Sequence, residues 1–221
     1  MDLTAAVKER RSIRRFRPEK VAQNLVREIL EDARYAPSWG NTQTWEFYVV
    51  MGEALEKFKK ANREKLLSGE KSVPDVPMPE AWPEKPNRRY VEIAKQLLGA
   101  LSISRENKSA RNQLYSEMHY LFDAPCLIVS CVDKSLSLEY AMFDLGLITQ
   151  TICLLAQDRG LGTCVMACAV VYPGLLRELL PIPDQKRIVI GTALGYPDWA
   201  SPANRFERQR ATVDELVTWV G

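Results

Sequence analysis

Arg10-Arg11-Ser12-Ile13-Arg14-Arg15-Phe16-Arg17 sets five guanidinium groups beside one hydroxyl within eight residues. A guanidinium stays charged and offers a planar fork of N–H donors, so a cluster of them next to a serine suits a phosphate monoester. The competing readings are a solvated basic face and a nucleic-acid patch. Two features weigh against them. Ile13 and Phe16 interrupt the charges at a spacing that buries one side of the segment, and the chain balances 30 Lys+Arg against 28 Asp+Glu, with no general basic excess. Asn204 to Arg210 repeats the arginine theme near the other end, so the two clusters are expected to converge on one anion.

The remaining composition narrows the chemistry. At 221 residues, 46% hydrophobic and 26% charged, the chain reads as one domain with a substantial core. It shows no signal-peptide pattern and no run near the roughly 18 uninterrupted apolar residues of a membrane helix, so a cytoplasmic protein with no membrane partner is expected. Five cysteines (Cys126, Cys131, Cys153, Cys164 and Cys168) sit mainly in apolar runs without a C-x-x-C pair, which reads as buried reduced thiols. With the single histidine His119 read as structural, a zinc site or a Ser-His-Asp triad lacks material. Chemistry is therefore expected from a bound cofactor.

Working outward from the arginines, Leu3 to Arg10 reads as a short amphipathic helix and residues 20–36 as a second one, ending in the loop Ala36-Pro37-Ser38-Trp39-Gly40-Asn41. Trp45–Met51 is aromatic and β-branched and predicts a mostly buried strand. Glu53–Leu67 predicts a helix with a solvated lysine-rich face. Pro74, Pro77, Pro79, Pro83 and Pro86 make residues 70–90 an irregular loop bordering a site or an interface, anchored by Trp82. Helical spacing resumes from Tyr90 to Leu101 and from Asn107 to Phe122. Cys126–Val132, apolar throughout, predicts a central strand, and residues 138–159 predict a long helix buried on nearly all sides. Asp144 within it needs a partner and is expected to brace a neighbouring element. Gly160-Leu161-Gly162-Thr163 leads into a short strand of small residues, Cys164–Cys168, which lets a flat ligand approach the backbone. Pro173–Leu180 is a helix and Arg187–Pro197 a further strand, its glycines placed where something packs closely. Helices and strands alternate in one domain over residues 1–221, an α+β or α/β sheet covered on both faces.

Several of these stretches, in order and over nearly the whole chain, resemble the nitroreductase family of FMN-dependent oxidoreductases. They are Arg10 to Phe16, Ala36 to Trp45, Asp144-Leu145-Gly146, Gly160 to Thr163, and Ala193-Leu194-Gly195-Tyr196-Pro197. The proline-rich segment with Tyr90 and the ending from Asn204 to Trp219 are most similar to the branch containing nitrobenzoate reductases. The resemblance implies an α+β fold, a mixed sheet among helices, and an intertwined homodimer with a swapped C-terminal tail and two shared FMN sites. It places Arg10, Arg11, Ser12 and Arg14 on the flavin, with Arg208 and Arg210 adding to the phosphate. Pro37, Ser38, Asn41 and Gln43 would come from the partner subunit, and Met166, Ala167 and Cys168 would line the flavin's N5 edge. Ala167, Cys168 and Thr44 depart from residues common in the family.

The implied activity is ping-pong hydride transfer from NADH or NADPH to a small aromatic acceptor, nitroaromatic or quinone-like. No side chain acts as a nucleophile, and Arg14 stabilises the reduced flavin. Trp82, Arg88 and Arg89 are candidates for the acceptor side, where an arginine favours anionic arenes. Two alternatives stay open: another flavin reaction on the same fold (reductive dehalogenation or a dehydrogenation), and a non-enzymatic basic binding module.

Overall fold

A strand with no polar face must be covered on both sides, and Cys126–Asp133 is the middle of this structure for that reason. The computed structural model describes Met1–Gly221. Its sheet comprises β1 (Trp45–Met51), β2 (Cys126–Asp133), β3 (Gly162–Met166) and β4 (Lys186–Gly195), in the order β1-β2-β4-β3. All three pairings are antiparallel, so the parallel component of the expected mixed sheet is confined, within one chain, to an isolated bridge from Ser12 to Thr163. Alternate residues of β2 enter two separate cores. Leu127, Val129 and Cys131 join one, whereas Cys126, Ile128 and Val132 join the other. The fold is α+β.

Helices cover both faces: α1 (Leu3–Glu9), α2 (Gln23–Ala33), α3 (Gly52–Leu67), α4 (Glu84–Ala100), α5 (Lys108–His119), α6 (Leu138–Asp158), α7 (Pro173–Leu179) and the single turn α8 (Val213–Leu216). Asp2 and Asn107 cap α1 and α5 by accepting backbone N–H groups, which fixes where each begins. Second-helix residues 20–22 and 34–36 lie outside α2.

Three expectations are corrected. β1 is an edge strand, so within one chain only Val50 of it is buried. The irregular segment ends at Pro83, because Pro83 is the N-cap of α4 and Pro86 falls in its first turn, where a missing N–H costs nothing. Residues 84–90, with Arg88 and Arg89, are therefore helical. Lys59, read as solvated, is 1% exposed. Its ammonium meets Glu56 at 2.6 Å and Asp123 at 2.9 Å, and burial, which opposes the charge, is outweighed by these two carboxylates, so its pKa is raised.

Helix α6 packs against α2 and β3 but is not enclosed: Tyr140 and Phe143 stand 56% and 68% exposed. By length and composition alone it would cross a bilayer. In the fold it is a core helix, its inner face (Ala141, Leu145, Ile148, Ile152) built into the second core and its buried Asp144 accepting the Trp39 N–H at 3.1 Å. That bond is the expected brace, holding the Trp39–Asn41 turn while the Trp39 ring stacks on Tyr140 at 4.8 Å.

The arginine-rich segment is stitched between the sheet and the tail. The Ile13 N–H donates to the Thr163 carbonyl at 2.8 Å, and the Arg17 N–H to that of Tyr196 at 2.9 Å. Asn204, fully buried, accepts the Arg14 N–H at 2.7 Å and donates at 2.8 Å to the carbonyls of Arg15 and Asp198. Sequence reading did not find this residue's role. Close packing explains two glycines: a Cβ on Gly162 would lie 2.3 Å from Ile13 Cγ1, and one on Gly195 2.5 Å from Pro125 Cδ.

Two outcomes follow. Gly162→Ala forces Ile13 and the arginine segment away from β3 and should destabilise the protein by about 1–3 kcal/mol in urea unfolding; the same change at Gly174, with open space around it, should shift stability by less than about 1 kcal/mol. Asn204→Ala leaves the Arg14 N–H without its acceptor and removes one of the two donors from each of the Arg15 and Asp198 carbonyls, and should cost about 1–3 kcal/mol, measured the same way.

Candidate active site

Where β3 forms the sheet edge, the N-terminal segment pairs with it only at Thr163, and beyond that point the edge opens into a cleft of about 580 Å³. Ladder alternation turns the backbone of Val165 to the same side as that of Thr163, so its N–H and carbonyl face the opening. Ser12 and Arg14 form one wall, Cys164 to Cys168 the floor, and Tyr115, Met118, His119 and Phe122 the opposite wall. The lining is mostly apolar, suited to a planar aromatic body fixed by a few polar groups.

Phe122 reaches the cleft from an unusual turn. Leu121, Phe122 and Asp123 all have left-handed backbone (φ 56°, 52° and 65°), a conformation costing about 1–2 kcal/mol for each such residue. Lys59 holds this turn from inside, bonding Asp123 and, at 3.4 Å, the Ala124 carbonyl.

Beside the cleft the two arginine clusters converge. Arg11 donates to the Asn204 carbonyl, and Arg208 donates to the carbonyls of Lys8, Glu9 and Arg10 at the end of α1. Burial first, then the charges of Arg11, Arg210 and Arg10, pull the Arg208 pKa down. Arg14 donates to the Ser12 carbonyl at 3.3 Å and lies 5.8 Å from the Phe206 ring. The arginines that do meet carboxylates are Arg17, Arg34, Arg89, Arg159 and Arg177, so Arg10, Arg11, Arg14, Arg208 and Arg210 share a region of uncompensated positive charge. Arg10 Nε is buried without any hydrogen-bond partner. A donor left so is costly unless an anion meets the group.

Other expected residues lie elsewhere. Pro37, Ser38, Asn41 and Gln43 are outside this cleft; Gln43 bonds to Asn41 and its N–H to Ser38 Oγ at 3.0 Å, with Asn41 and Gln43 in left-handed conformation. Trp82 is 49% exposed and does not line the cleft, and Arg89 pairs with Glu215 at 3.3 Å. From the proline-rich segment it is Ser72 and Met78 that reach in. Asp75, which sequence reading passed over, pins that segment by meeting Arg177 at 2.6 Å and accepting the Ile188 N–H at 2.8 Å. His119 stands in the cleft wall, and no local pattern signals this because α5 reaches the site through its packing on α3. All five thiols are free. Burial pushes Cys164 up to about 11 and Cys168 up to about 12, so neither is a nucleophile at neutral pH.

The comparisons agree with this architecture. The model of the nitroreductase family matches residues 7–196. Nitrobenzene nitroreductase of Ectopseudomonas oleovorans is 33% identical over 217 residues, 97% of this chain and 95% of the relative. 4-Nitrobenzoate reductase of Pseudomonas putida is 28% identical over 220 residues, 100% and 96% of the two chains. The crystal structure of the FMN and NADPH-dependent nitroreductase NfnB from Sphigopyxis sp. strain HMH superposes with a TM-score of 0.95 at 27% identity, each chain fully covered. Sequence motifs, edge-strand cleft and full-length likeness coincide, and the chain belongs to the nitroreductase family.

Proposed function

We propose that this protein is a homodimeric, cytoplasmic FMN-dependent NAD(P)H oxidoreductase that reduces nitroaromatic and quinone-like acceptors. The observation that carries the reading is the uncompensated arginine group, with its orphaned Arg10 Nε, next to an apolar cleft on an open strand edge. A flavin mononucleotide fits both halves: a phosphate for the guanidinium cluster and a flat tricycle for the cleft. The relatives' names, and the FMN and NADPH dependence of the NfnB structures, support the same assignment.

In this reading Arg10, Arg11, Ser12, Arg208 and Arg210 hold the phosphate end. The chemistry FMN supplies when bound is hydride transfer, from NADH or NADPH and then to the acceptor. Arg14, at the cleft wall, favours negative charge on the ring system. The backbone of Met166, Ala167 and Cys168 would line the ring's N5 edge, where the small side chains of Ala167 and Cys168 leave room for it. Phe122, Met118 and Met78 exclude water from the opposite side. A single cleft of about 580 Å³ holds one planar ligand beside the cofactor, so donor and acceptor occupy it in turn. Trp82, Arg88 and Arg89 do not line this cleft and take no part in this reading.

The dimer rests on exposed apolar surface. Phe143 and Tyr140 on α6, Trp39 on the loop it braces, and Trp219 and Val220 in the tail, 79% and 94% exposed, are the large apolar side chains that a second copy would cover. A second copy covering α6 with its tail would bring the partner's 37–43 loop toward this cleft. The five free thiols, four of them buried, suit a reducing compartment.

Arg10→Gln and Arg210→Ala should each weaken FMN binding by about 1.5–3 kcal/mol when apoprotein is titrated with FMN; an unchanged affinity would place the phosphate elsewhere. Phe143→Asp should convert the dimer into a monomer in sedimentation equilibrium and release the flavin. A monomer retaining full FMN affinity would refute the shared site.

A further inference from the structure

Each two-electron step on a nitro group consumes a proton as well as a hydride: ArNO2 + H⁻ + H⁺ gives ArNO + H2O. One N–O bond breaks and its oxygen leaves as water, so a group that protonates that oxygen assists the step. Most titratable groups in the cleft are too weakly acidic for this or have their proton engaged. Cys164 and Cys168 are held at about 11 and about 12 by burial. The Tyr172 hydroxyl, also raised by burial, donates to the Glu70 carbonyl at 3.2 Å. The Glu70 carboxylate is bound by Lys65 at 2.7 Å, and Arg14 does not deprotonate.

His119 is different. It is the last residue of α5, where the free carbonyl ends favour a cation. Its Nδ1 lies 3.0 Å from the Tyr115 carbonyl, which can only accept, so Nδ1 keeps its proton and Nε2 is the nitrogen that titrates. No protein group bonds Nε2. The main chain here is fixed by Asn62, itself 1% exposed, whose Nδ2 donates to the His119 carbonyl at 2.7 Å and to that of Cys168 at 3.3 Å. One buried amide thus ties the histidine to the cleft floor.

We propose that His119 is the general acid of acceptor reduction: the Nε2–H bond breaks as an O–H bond forms on the nitro oxygen, and the imidazole regains its proton from solvent. This rests on the reading that nitroarenes are reduced in this cleft. The Tyr115 carbonyl is the group bonded to the ring, Asn62 from α3 holds the main chain beside it, and the other titratable or charged groups of the same cleft are the un-ionised thiols of Cys164 and Cys168, Tyr172, Arg14 from the N-terminal segment and Glu70, already paired, from the segment after α3. Burial lowers the imidazole pKa more than the Tyr115 carbonyl raises it. The acid form is therefore lost as pH rises through a value below that of a free histidine, and nitroarene kcat/KM should be highest on the acid side and fall about tenfold per pH unit above it.

His119 is the only histidine, so its imidazole resonances need no assignment. The test is to titrate them by NMR in the flavin-loaded protein and compare the midpoint with the inflection in kcat/KM for nitrobenzene on the same sample. The two should coincide. H119Q, which keeps hydrogen-bonding capacity but cannot pass on a proton, should bind FMN, lose at least about tenfold in kcat/KM below the midpoint, and show no inflection. An inflection far from the NMR midpoint in the native protein, or one that persists in H119Q, overturns the proposal while leaving nitroarene reduction standing. Failure of the native protein to reduce nitrobenzene at any pH, although NADPH bleaches its flavin, removes the acceptor reading and this proposal together.

Discussion

Like charges held together without a counter-ion are the constraint around which this molecule is arranged. Arg10, Arg11 and Arg210 add to burial, the larger cause, in lowering the Arg208 pKa, and something must keep these like charges in place. Asn204 and the end of α1 do so. Asn204 binds the backbone on either side of Arg14, and Arg208 donates to the carbonyls at the end of α1, which anchors the tail there. The positive region lies beside the open edge of β3, where the proposed phosphate would offset its repulsion.

The opposite wall is governed by a different balance. Three successive left-handed residues are unfavourable in an L-peptide, and the turn persists because Lys59 satisfies its carboxylate and carbonyl groups from a buried position. Phe122 therefore enters the cleft with little freedom to move. The Asn62 bonds to His119 and Cys168 join this wall to the floor through the same helix, α3. Walls fixed in this way keep a planar ligand aligned without any side chain enclosing it.

Helix α6 shows how composition misleads when surroundings are unknown. Its sequence is apolar enough for a bilayer, yet its inner face packs on the sheet, its buried Asp144 holds the Trp39 turn, and its outer face awaits cover. Burial on nearly all sides, expected from the sequence, is not met in this chain, where Tyr140 and Phe143 stand exposed. The same holds for β1, whose aromatic and β-branched residues are half-exposed at the sheet edge.

What the sequence by itself determined was whatever depends on neighbours close along the chain. Helical spacing gave α1 to α3 and α5 to α7 to within a few residues and α4 from Tyr90 onward, the apolar run gave β2 as an inner strand, Asp144 was legible as a brace, and the density of arginines at both ends was the reason to expect an anion site. Only the tertiary structure decided the rest. Lys59 and Asp123 are 64 residues apart and Asn62 and His119 are 57 apart, so neither the burial of the lysine nor the arrival of the single histidine in the cleft has a local signature. The proline-rich segment was legible as irregular, but whether Met78 or Trp82 would enter the site was settled by Asp75, through its pairing with Arg177 and its bond to the β4 backbone. Periodicity is a one-dimensional signal of which face is buried; which groups meet in the cleft depends on long-range packing that closes loops of this length, and no pattern along the chain encodes it.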